Sequence, residues 1–177
     1  MEILIRQELT KDYHMTEEMV KKVFSHEEYS NKKEHVLVNK IRKSEAFIPE
    51  LSLVASNKGH DIIGHILLSK IKIIDADAAV DSLALAPVSV LPKYQKKGIG
   101  NQLIHAALKK AKEHGFRSVI VLGHKDYYPK FGFKPASLWN IIAPFEVPDD
   151  VFMALELTDH SLKNVHGIVQ YTKAFSE

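Results

Sequence analysis

The residues from Val88 to Asn101 read VSVLPKYQKKGIGN, and this stretch decides the fold that the sequence predicts. Its β-branched start suits a strand that ends at Pro92. Gly98 and Gly100 allow the backbone to bend tightly before a helix, because glycine has no Cβ. The first amides of a helix have no partners within it and lie at the positive end of its dipole, which favours a phosphate. The stretch is therefore typical of a strand-to-helix turn, either purely structural or phosphate-binding.

A long helix is predicted directly after this turn, between Gly98 and His114. Apolar residues recur there at steps of three and four and share one face, namely Ile99, Leu103, Ile104, Ala107, Leu108 and Ala111. Residues 117–122 form a β-branched run that suits a buried strand. Two other phosphate motifs are excluded, because no Walker sequence is present and Leu103 stands where a dinucleotide fingerprint needs its third glycine. The sequence thus predicts a strand–helix–strand unit at the centre of the chain.

The flanking sequence predicts further strands and two more helices. One helix is expected to begin at Thr16, which two acidic residues follow, and a second covers about residues 33–43. Neither an internal repeat nor a linker interrupts the chain, so we expect one domain over residues 1–177. The remaining predicted strands cover residues 2–8, 51–55, 62–74, 80–91, 151–157 and 168–172.

Composition excludes several classes of protein. The 177 residues match roughly one domain of about 150 residues with an extension. With 24 Lys and Arg against 22 Asp and Glu, the formal charge is +2, so neither nucleic acid nor an acidic membrane surface is expected as a partner. The chain has no cysteine, which excludes disulfides and thiolate nucleophiles. We expect a cytoplasmic protein, since neither a secretory signal nor an apolar run of about 18 residues is visible.

A second motif completes a family signature. It follows the strand at 117–122 and reads Tyr128-Pro129-Lys130-Phe131-Gly132-Phe133. Together with Gln95-Lys96-Lys97-Gly98-Ile99-Gly100, it resembles the GCN5-related N-acetyltransferase superfamily. That superfamily combines Gln/Arg-x-x-Gly-x-Gly/Ala at a helix start with Tyr-x-x-x-Gly-Phe after the next strand. The resemblance covers about residues 85–133 and looks most like bacterial predicted acetyltransferases whose substrates are unassigned.

The resemblance implies an α+β fold in three layers. A mixed, mostly antiparallel central sheet of about six to seven strands is expected, flanked by about four helices. In this superfamily the fourth and fifth strands splay apart to admit the cofactor. Pro87 stands where pairing between those strands would stop, although a proline also simply ends or bulges an edge strand.

The resemblance also implies that acetyl-CoA is the cosubstrate. Its pantetheine arm is expected to pair with the main chain of Val88, Ser89 and Val90, as an added strand does. Lys93 and Lys96 are candidates for the outer phosphates, and the alternative is that they are ordinary solvated charges. The pyrophosphate is expected on the turn formed by Gln95, Lys96, Lys97, Gly98, Ile99, Gly100 and Asn101.

The expected reaction is direct attack of a neutral amine on the thioester. Tyr128 is the candidate catalytic residue, as the acid that protonates the departing thiolate, because a phenol with a pKa of about 10 stays protonated at neutral pH. Its alternative role is packing, and Tyr127 is the substitute candidate. No motif assigns the general base, which leaves an acidic residue near Asp81, or His65, acting through water.

The sequence therefore predicts an acetyl-CoA-dependent N-acetyltransferase for a small-molecule or peptide amine, with a homodimer as one candidate assembly. Two alternatives remain: a CoA-binding module without catalysis and a transferase for a longer acyl group. Trp139 with Ile141 and Ile142 forms either an acceptor pocket or a hydrophobic anchor for the C-terminal segment. No metal is expected, because the ten histidines are scattered and Val80 stands where a calcium loop beginning at Asp75 needs glycine.

Overall fold

A long antiparallel hairpin forms the centre of the protein. In this computed structural model, which describes residues 2–28 and 30–176, the hairpin consists of β3 (Ile62–Asp75) and β4 (Ala78–Val90). The first eight residues of β3 are all buried, so this strand is covered on both faces. Strands buried on both faces carry continuous apolar runs, which explains why little alternation is visible in this part of the sequence.

Seven further strands extend the hairpin into one sheet. They are β1 (Leu4–Gln7), β2 (Ser52–Ser56), β5 (Ser118–Leu122), β6 (Lys134–Pro135), β7 (Ile141–Ile142), β8 (Phe152–Glu156) and β9 (Gly167–Gln170). The order is β1-β2-β3-β4-β5-β8-β6, with β9 pairing a separate part of β3 and β7 pairing β9. The β4–β5 and β7–β9 pairs are parallel and the others are antiparallel.

Helices cover both faces of the sheet. On one face lies α3 (Ile99–Glu113), whose buried residues pack in one cluster with apolar side chains of β2 to β5. On the other face lie α1 (Tyr13–Phe24) and α2 (Glu34–Arg42), which pack against β2 and β3. Residues 136–175 contribute a further apolar cluster with the remaining part of the sheet. The result is three layers with the sheet in the middle.

The fold class that the sequence predicted is confirmed, with differences in number. Within residues 2–28 and 30–176 the sheet has nine strands rather than six or seven, because β6 and β7 are pairs of residues too short to leave a sequence pattern. Three α-helices are present in the same ranges rather than about four.

The predicted start of the first helix was wrong. This helix begins at Tyr13, and Thr16 is fully buried within it. The Asp12 carboxylate does not cap this helix; it accepts the Leu9 amide at 2.8 Å, which closes the preceding single turn at Thr10–Asp12, and it pairs with Arg6 at 2.7 Å. This pairing lowers the pKa of Asp12, chiefly through the Arg6 hydrogen bond.

A buried polar network joins the N-terminal helices to the sheet. The Arg42 guanidinium donates to Glu8 at 2.5 Å and to Glu17 at 2.6 Å, and it lies 4.0 Å from the centre of the Tyr13 ring. Glu8 accepts a second hydrogen bond from the Ser52 hydroxyl at 2.8 Å. Buried charges are tolerated where they are paired and hydrogen-bonded, so this network fixes α1 and α2 on the sheet.

His65 lies at the end of this network and is fully buried. Its Nε2 is 3.0 Å from the Ser52 hydroxyl oxygen. Because the single Ser52 hydrogen is donated to Glu8, Nε2 must carry the proton and donate to Ser52. Burial lowers the pKa of His65 to about 4, with Arg42 adding to the effect and Glu8 opposing it. The imidazole is therefore neutral at physiological pH.

Protonation of His65 should make folding stability depend on pH. The unfolded state binds a proton near the ordinary pKa of about 6.5, whereas the folded state binds it only near 4, so stability is lost as the pH falls between these values. The loss attributable to His65 has an upper value of about 3 kcal/mol. Urea unfolding of His65→Gln between pH 7 and 5 should show a shallower dependence than the wild type. The exposed His26→Gln variant is the control, and equal slopes for all three proteins would contradict the assignment.

Candidate functional site

The site begins where β4 and β5 separate. These parallel strands pair only at Leu83 with Val119 and at Ala84 with Ile120. Beyond Ala84, β4 continues for six residues along β3, while β5 pairs with β8 on its other side. Among the described residues, no strand pairs with this edge of β4 from Leu85 to Val90.

The start of this open edge is also irregular on the β3 side. Ala86 and Pro87 are skipped in the register between Leu85 and Val88, and the peptide bond between Ala86 and Pro87 is cis. The splayed strands agree with the expectation from the sequence. The place of Pro87 differs from it, because the β4–β5 pairing ends at Ala84 and the interruption at Pro87 lies between β4 and β3.

The direction of the main-chain groups on this edge follows from the hydrogen bonds around it. The Leu91 amide donates to the Ile63 carbonyl, on the β3 side. Since successive residues alternate in direction, Ser89 also faces β3, whereas Val88 and Val90 face the gap. The Val90 carbonyl is already bound by the Gln95 side-chain amide at 2.8 Å. Between Val88 and Val90, the main-chain groups that face the gap and have no partner in the described residues are therefore the amide and carbonyl of Val88 and the amide of Val90.

The main chain of Ser89 does not face the gap, although the sequence suggested that it would pair with the pantetheine arm. Its register partner is His65 on β3, and its hydroxyl lies against the Met19 sulfur of α1 at 3.9 Å. Ser89 therefore faces the helical layer of α1 and contributes no main-chain group to the open edge.

The turn between β4 and α3 brings unpaired amides to the same place. Lys96 has φ +62° and Gly98 has φ +82°, so the chain twice enters the left-handed region before the helix starts. Alternation of this kind turns successive amides toward one side. Within residues 2–28 and 30–176, no hydrogen bond takes up the amides of Ile99, Gly100 and Asn101. The first helical bond here joins the Gln102 amide to the Gly98 carbonyl at 3.0 Å.

A cleft of about 510 Å³ lies between this turn, the end of β4 and the segment after β5. The predicted residues Lys97, Val88, Ser89 and Tyr128 do not line it. The residues that line it are Val90, Gln95, Lys96, Gly98, Ile99, Gly100 and Asn101, all of which the sequence singled out, together with Tyr94, Tyr127 and Lys130.

Gly100 keeps the cleft open at its centre. A Cβ at this position would lie 3.4 Å from the Tyr127 hydroxyl and 3.9 Å from a methyl group of Val90. Tyr127 in turn donates a hydrogen bond to the Asn101 side chain at 2.8 Å, and the Lys130 ammonium lies 4.1 Å from the centre of its ring. The turn and the Tyr127 segment therefore form two walls of one cleft, with positive charge at its opening.

Tyr128 lies beside the cleft, in the core of the α3 layer. It is 8% exposed and contacts the ring of Tyr127 edge to face, with the centroids 5.1 Å apart. Its ring packs so closely on Gly123 that a Cβ there would lie 2.2 Å from it. Burial, with a smaller contribution from Tyr127, raises the pKa of Tyr128 to about 12. Its hydroxyl has no hydrogen-bond partner in the described part of the chain.

The residues that the sequence offered as general bases lie outside this cleft. Asp81 is exposed, pairs with Lys72 at 2.5 Å and lies at the far end of β4. His65 is enclosed in the buried network, where its neutral imidazole already donates to Ser52, and no open path in the described part of the chain joins it to the cleft residues.

Trp139 packs against the apolar cluster of the C-terminal segment, and Ile141 belongs to it, which favours the anchor over the acceptor pocket. A separate cavity of about 280 Å³ is nevertheless lined by Ile141 and Ile142 with Phe145 and Phe152.

Two cleft residues were missed because nothing local marks them. Tyr94 is fixed from outside its own segment, by the Asn57 side chain at 3.1 Å. Lys130 lies inside the second sequence motif, where it counts as a variable position. Neither Tyr94 nor Lys130 belongs to a sequence pattern that predicts a binding residue. Only their position at the cleft in the folded structure identifies them.

Across residues 2–28 and 30–176, no helix has the length and apolar character that crossing a membrane requires. Over the same ranges, no group of three His, Asp or Glu side chains is arranged to hold a metal ion.

The family model, the relative and the solved structures to which this chain is similar are all described as acetyltransferases. A family model described as the acetyltransferase (GNAT) family matches residues 7–133. The chain is 35% identical to YjhQ of Escherichia coli K12, described as an uncharacterized N-acetyltransferase, over 67% of this chain. That match spans 65% of YjhQ, just under two thirds of its length.

Two solved structures resemble the whole chain. The GNAT family N-acetyltransferase YhbS of Escherichia coli, crystallised with CoA, superposes with a TM-score of 0.87 at 25% identity, over 99% of this chain and 92% of that one. A GNAT family acetyltransferase of Brucella melitensis, crystallised with acetyl-CoA, gives a TM-score of 0.80 at 32% identity, covering 98% of each chain.

Proposed function

This chain belongs to the acetyltransferase (GNAT) family of acyltransferases, and on that basis we propose that it transfers an acetyl group from acetyl-CoA to a primary amine. One observation carries the proposal: the open edge of β4 and the unpaired amides at the start of α3 border the same cleft. An extended amide-bearing arm fits the first feature and a diphosphate fits the second. Two related acetyltransferase structures contain CoA or acetyl-CoA, which supports this cosubstrate.

The cleft and the open edge of β4, which meets the cleft at Val90, together fit both parts of CoA. On the strand side, Val88 offers an amide and a carbonyl, and Val90 offers an amide, so a pantetheine arm can pair there as an added strand. On the helix side, Ile99, Gly100 and Asn101 line the cleft and have unpaired amides at the positive end of the α3 dipole. Because Gly100 has no side chain, a diphosphate can approach these amides closely.

The open edge of β4 can also stabilise the negative charge that develops on the thioester oxygen during acyl transfer. When bound, acetyl-CoA supplies a thioester carbonyl, on which negative charge develops during attack by a neutral amine. A main-chain amide of Val88 or Val90 that is not used by the arm is positioned on the open edge to donate to that oxygen. Because the chain has no cysteine, a cysteinyl acyl-enzyme is excluded, which favours direct attack.

Tyr128 is the candidate acid for the leaving thiolate. Its pKa of about 12 keeps the hydroxyl protonated across the whole physiological range, and its hydroxyl has no other partner in residues 2–28 and 30–176. As the C–N bond forms and the C–S bond breaks, this hydroxyl donates a hydrogen bond to the thiolate, whose ordinary pKa is about 8.5, and the proton that the amine nitrogen loses ends on the sulfur, so the products are the amide and the CoA thiol. Packing on Gly123 and against Tyr127 holds the ring in one orientation, so little ordering is needed during the reaction.

Release of free CoA thiol tests the proposal directly. Acetyl-CoA is incubated with the protein and a panel of free amino acids, polyamines, aminoglycosides and peptides with free N-termini, and thiol is measured over time. Amine-dependent release above that of a Tyr128→Phe protein supports the proposal. CoA binding without release for any amine contradicts catalysis and favours a binding module. Faster release from a longer acyl-CoA than from acetyl-CoA would reassign the acyl group.

Replacing Gly100 should weaken CoA binding while leaving the fold intact. In Gly100→Val the added methyl groups occupy the space between the turn, Tyr127 and Val90, where the diphosphate is expected. We expect the Kd for CoA, measured by calorimetry, to rise at least tenfold. Gly59→Val is the matched control, since a Cβ there makes only ordinary contacts in a surface turn. Unchanged affinity in Gly100→Val would remove the diphosphate from this turn.

Lysines that line the cleft should contribute more to CoA binding than lysines beside it. The double substitution of Lys96 and Lys130 by Gln removes two charges from the cleft. We expect a three- to tenfold higher Kd and a smaller dependence on salt, because exposed ionic contacts are individually weak and screened. The control substitutes Lys93 and Lys97, which lie near Tyr94 outside the cleft. Equal effects of both pairs would mean that only overall charge matters.

Substitution of the two adjacent tyrosines should have different effects, one mainly on kcat and the other mainly on the Kd for CoA. Tyr128→Phe removes the candidate acid, and we expect kcat to fall about 100-fold with little change in the Kd for CoA. Tyr127→Phe removes the hydrogen bond to Asn101 and should affect the Kd more than kcat. Because the pKa of Tyr128 is about 12, no loss of wild-type activity up to pH 9 should come from its ionisation. An unchanged kcat in Tyr128→Phe would leave this residue a packing role only.

A further inference from the structure

A second cavity, here called the lysine groove, lies at the opposite end of the sheet from the cleft. Its volume is about 970 Å³. β2 and β9 pair with the same edge of β3 and leave a gap between them. The pairing with β2 ends at Leu67, and the pairing with β9 begins at Lys72. The end of α2, residues 44–46 and residues 170–174 enclose the gap.

The lysine groove is lined by five lysines and two acidic residues. These residues are Lys40, Lys43, Lys70, Lys72, Lys173, Glu45 and Asp81. Lys72 is neutralised by Asp81 at 2.5 Å. Within residues 2–28 and 30–176, Lys43, Lys70 and Lys173 form no ion pair, although they come from three separate parts of the chain. Exposed cations from three segments around one concavity make its local potential positive, which attracts an anion.

The floor of the lysine groove is apolar. Ile71, Ala46 and Ala174 line it and are 3%, 4% and 8% exposed. Tyr171 adds a half-buried ring that stacks on Phe145 with the centroids 6.2 Å apart. A groove with an apolar floor and a cationic rim suits a ligand that has both a flat apolar part and several negative charges.

We propose that the lysine groove is a second binding site, for a small nucleotide-type polyphosphate. The phosphates contact Lys43, Lys70 and Lys173 at the rim, and the planar part of the ligand lies on the Ile71 and Tyr171 side. Lys70 is six residues along β3 from Gly64, which pairs with the end of β4 at the cleft, so the two sites are about 20 Å apart. Occupation of one site therefore does not block the other.

Calorimetry with metal-free ATP tests this site, in the presence of excess CoA and about 150 mM salt. We expect saturable binding of one ATP, with a Kd at least tenfold higher when Lys43, Lys70 and Lys173 are all changed to Gln. Lys70→Glu alone is the second variant, which reverses one charge and should weaken binding several-fold. A second titration uses tripolyphosphate in place of ATP. We expect it to bind more weakly than ATP, because it has no planar group to contact the apolar floor.

The matched control removes three lysines from another exposed surface. Lys109, Lys110 and Lys112 lie at the end of α3 and do not line the lysine groove, so their change to Gln should leave ATP binding as in the wild type. An equal loss in both triple variants, or no saturable ATP binding at all, would overturn the proposal. Tripolyphosphate binding as tight as ATP binding would overturn the role of the apolar floor. Direct titration with CoA tests the cleft independently of these outcomes.

Discussion

The structure depends on the point at which β4 and β5 stop pairing. A buried main-chain group needs a hydrogen-bond partner, and in most of the sheet a neighbouring strand supplies it. After Ala84 that neighbour is absent on one side of β4, so the strand retains donors and acceptors within the fold. The turn before α3 adds further amides that have no hydrogen-bond partner in the described residues. Two sets of unsatisfied groups that border one cleft define a binding surface made mainly of backbone, to which side chains add shape and charge.

The rest of the fold holds this gap open. On one side β3 remains paired with β4 as far as Val90, and on the other β8 pairs with β5 along its full length. Arg42 and its two carboxylate partners attach the N-terminal helices to the sheet beside β3. Because both strands are supported from their outer sides, they can separate without loss of the surrounding core. The polar network thus contributes to the cleft without touching it.

Much of this arrangement was predictable from local sequence. The glycines before α3, the apolar stripe of that helix and the aromatic motif after β5 each depend on neighbours along the chain, and they located most of the cleft. Other features depend on distant partners. The direction of Ser89 follows from its register with β3, the role of Lys130 follows from contact with the cleft, and the lysine groove combines segments more than a hundred residues apart. Pattern and composition do not encode such pairings.

The contact between Gly123 and the ring of Tyr128 has an evolutionary consequence. With 2.2 Å between the ring and the place where a Cβ would stand, the two positions cannot vary independently. A lineage that gains a larger residue at 123 must also shrink or displace the aromatic group at 128. Loss of the glycine would thus mark a displaced ring at position 128 in a descendant protein even where the tyrosine itself survives.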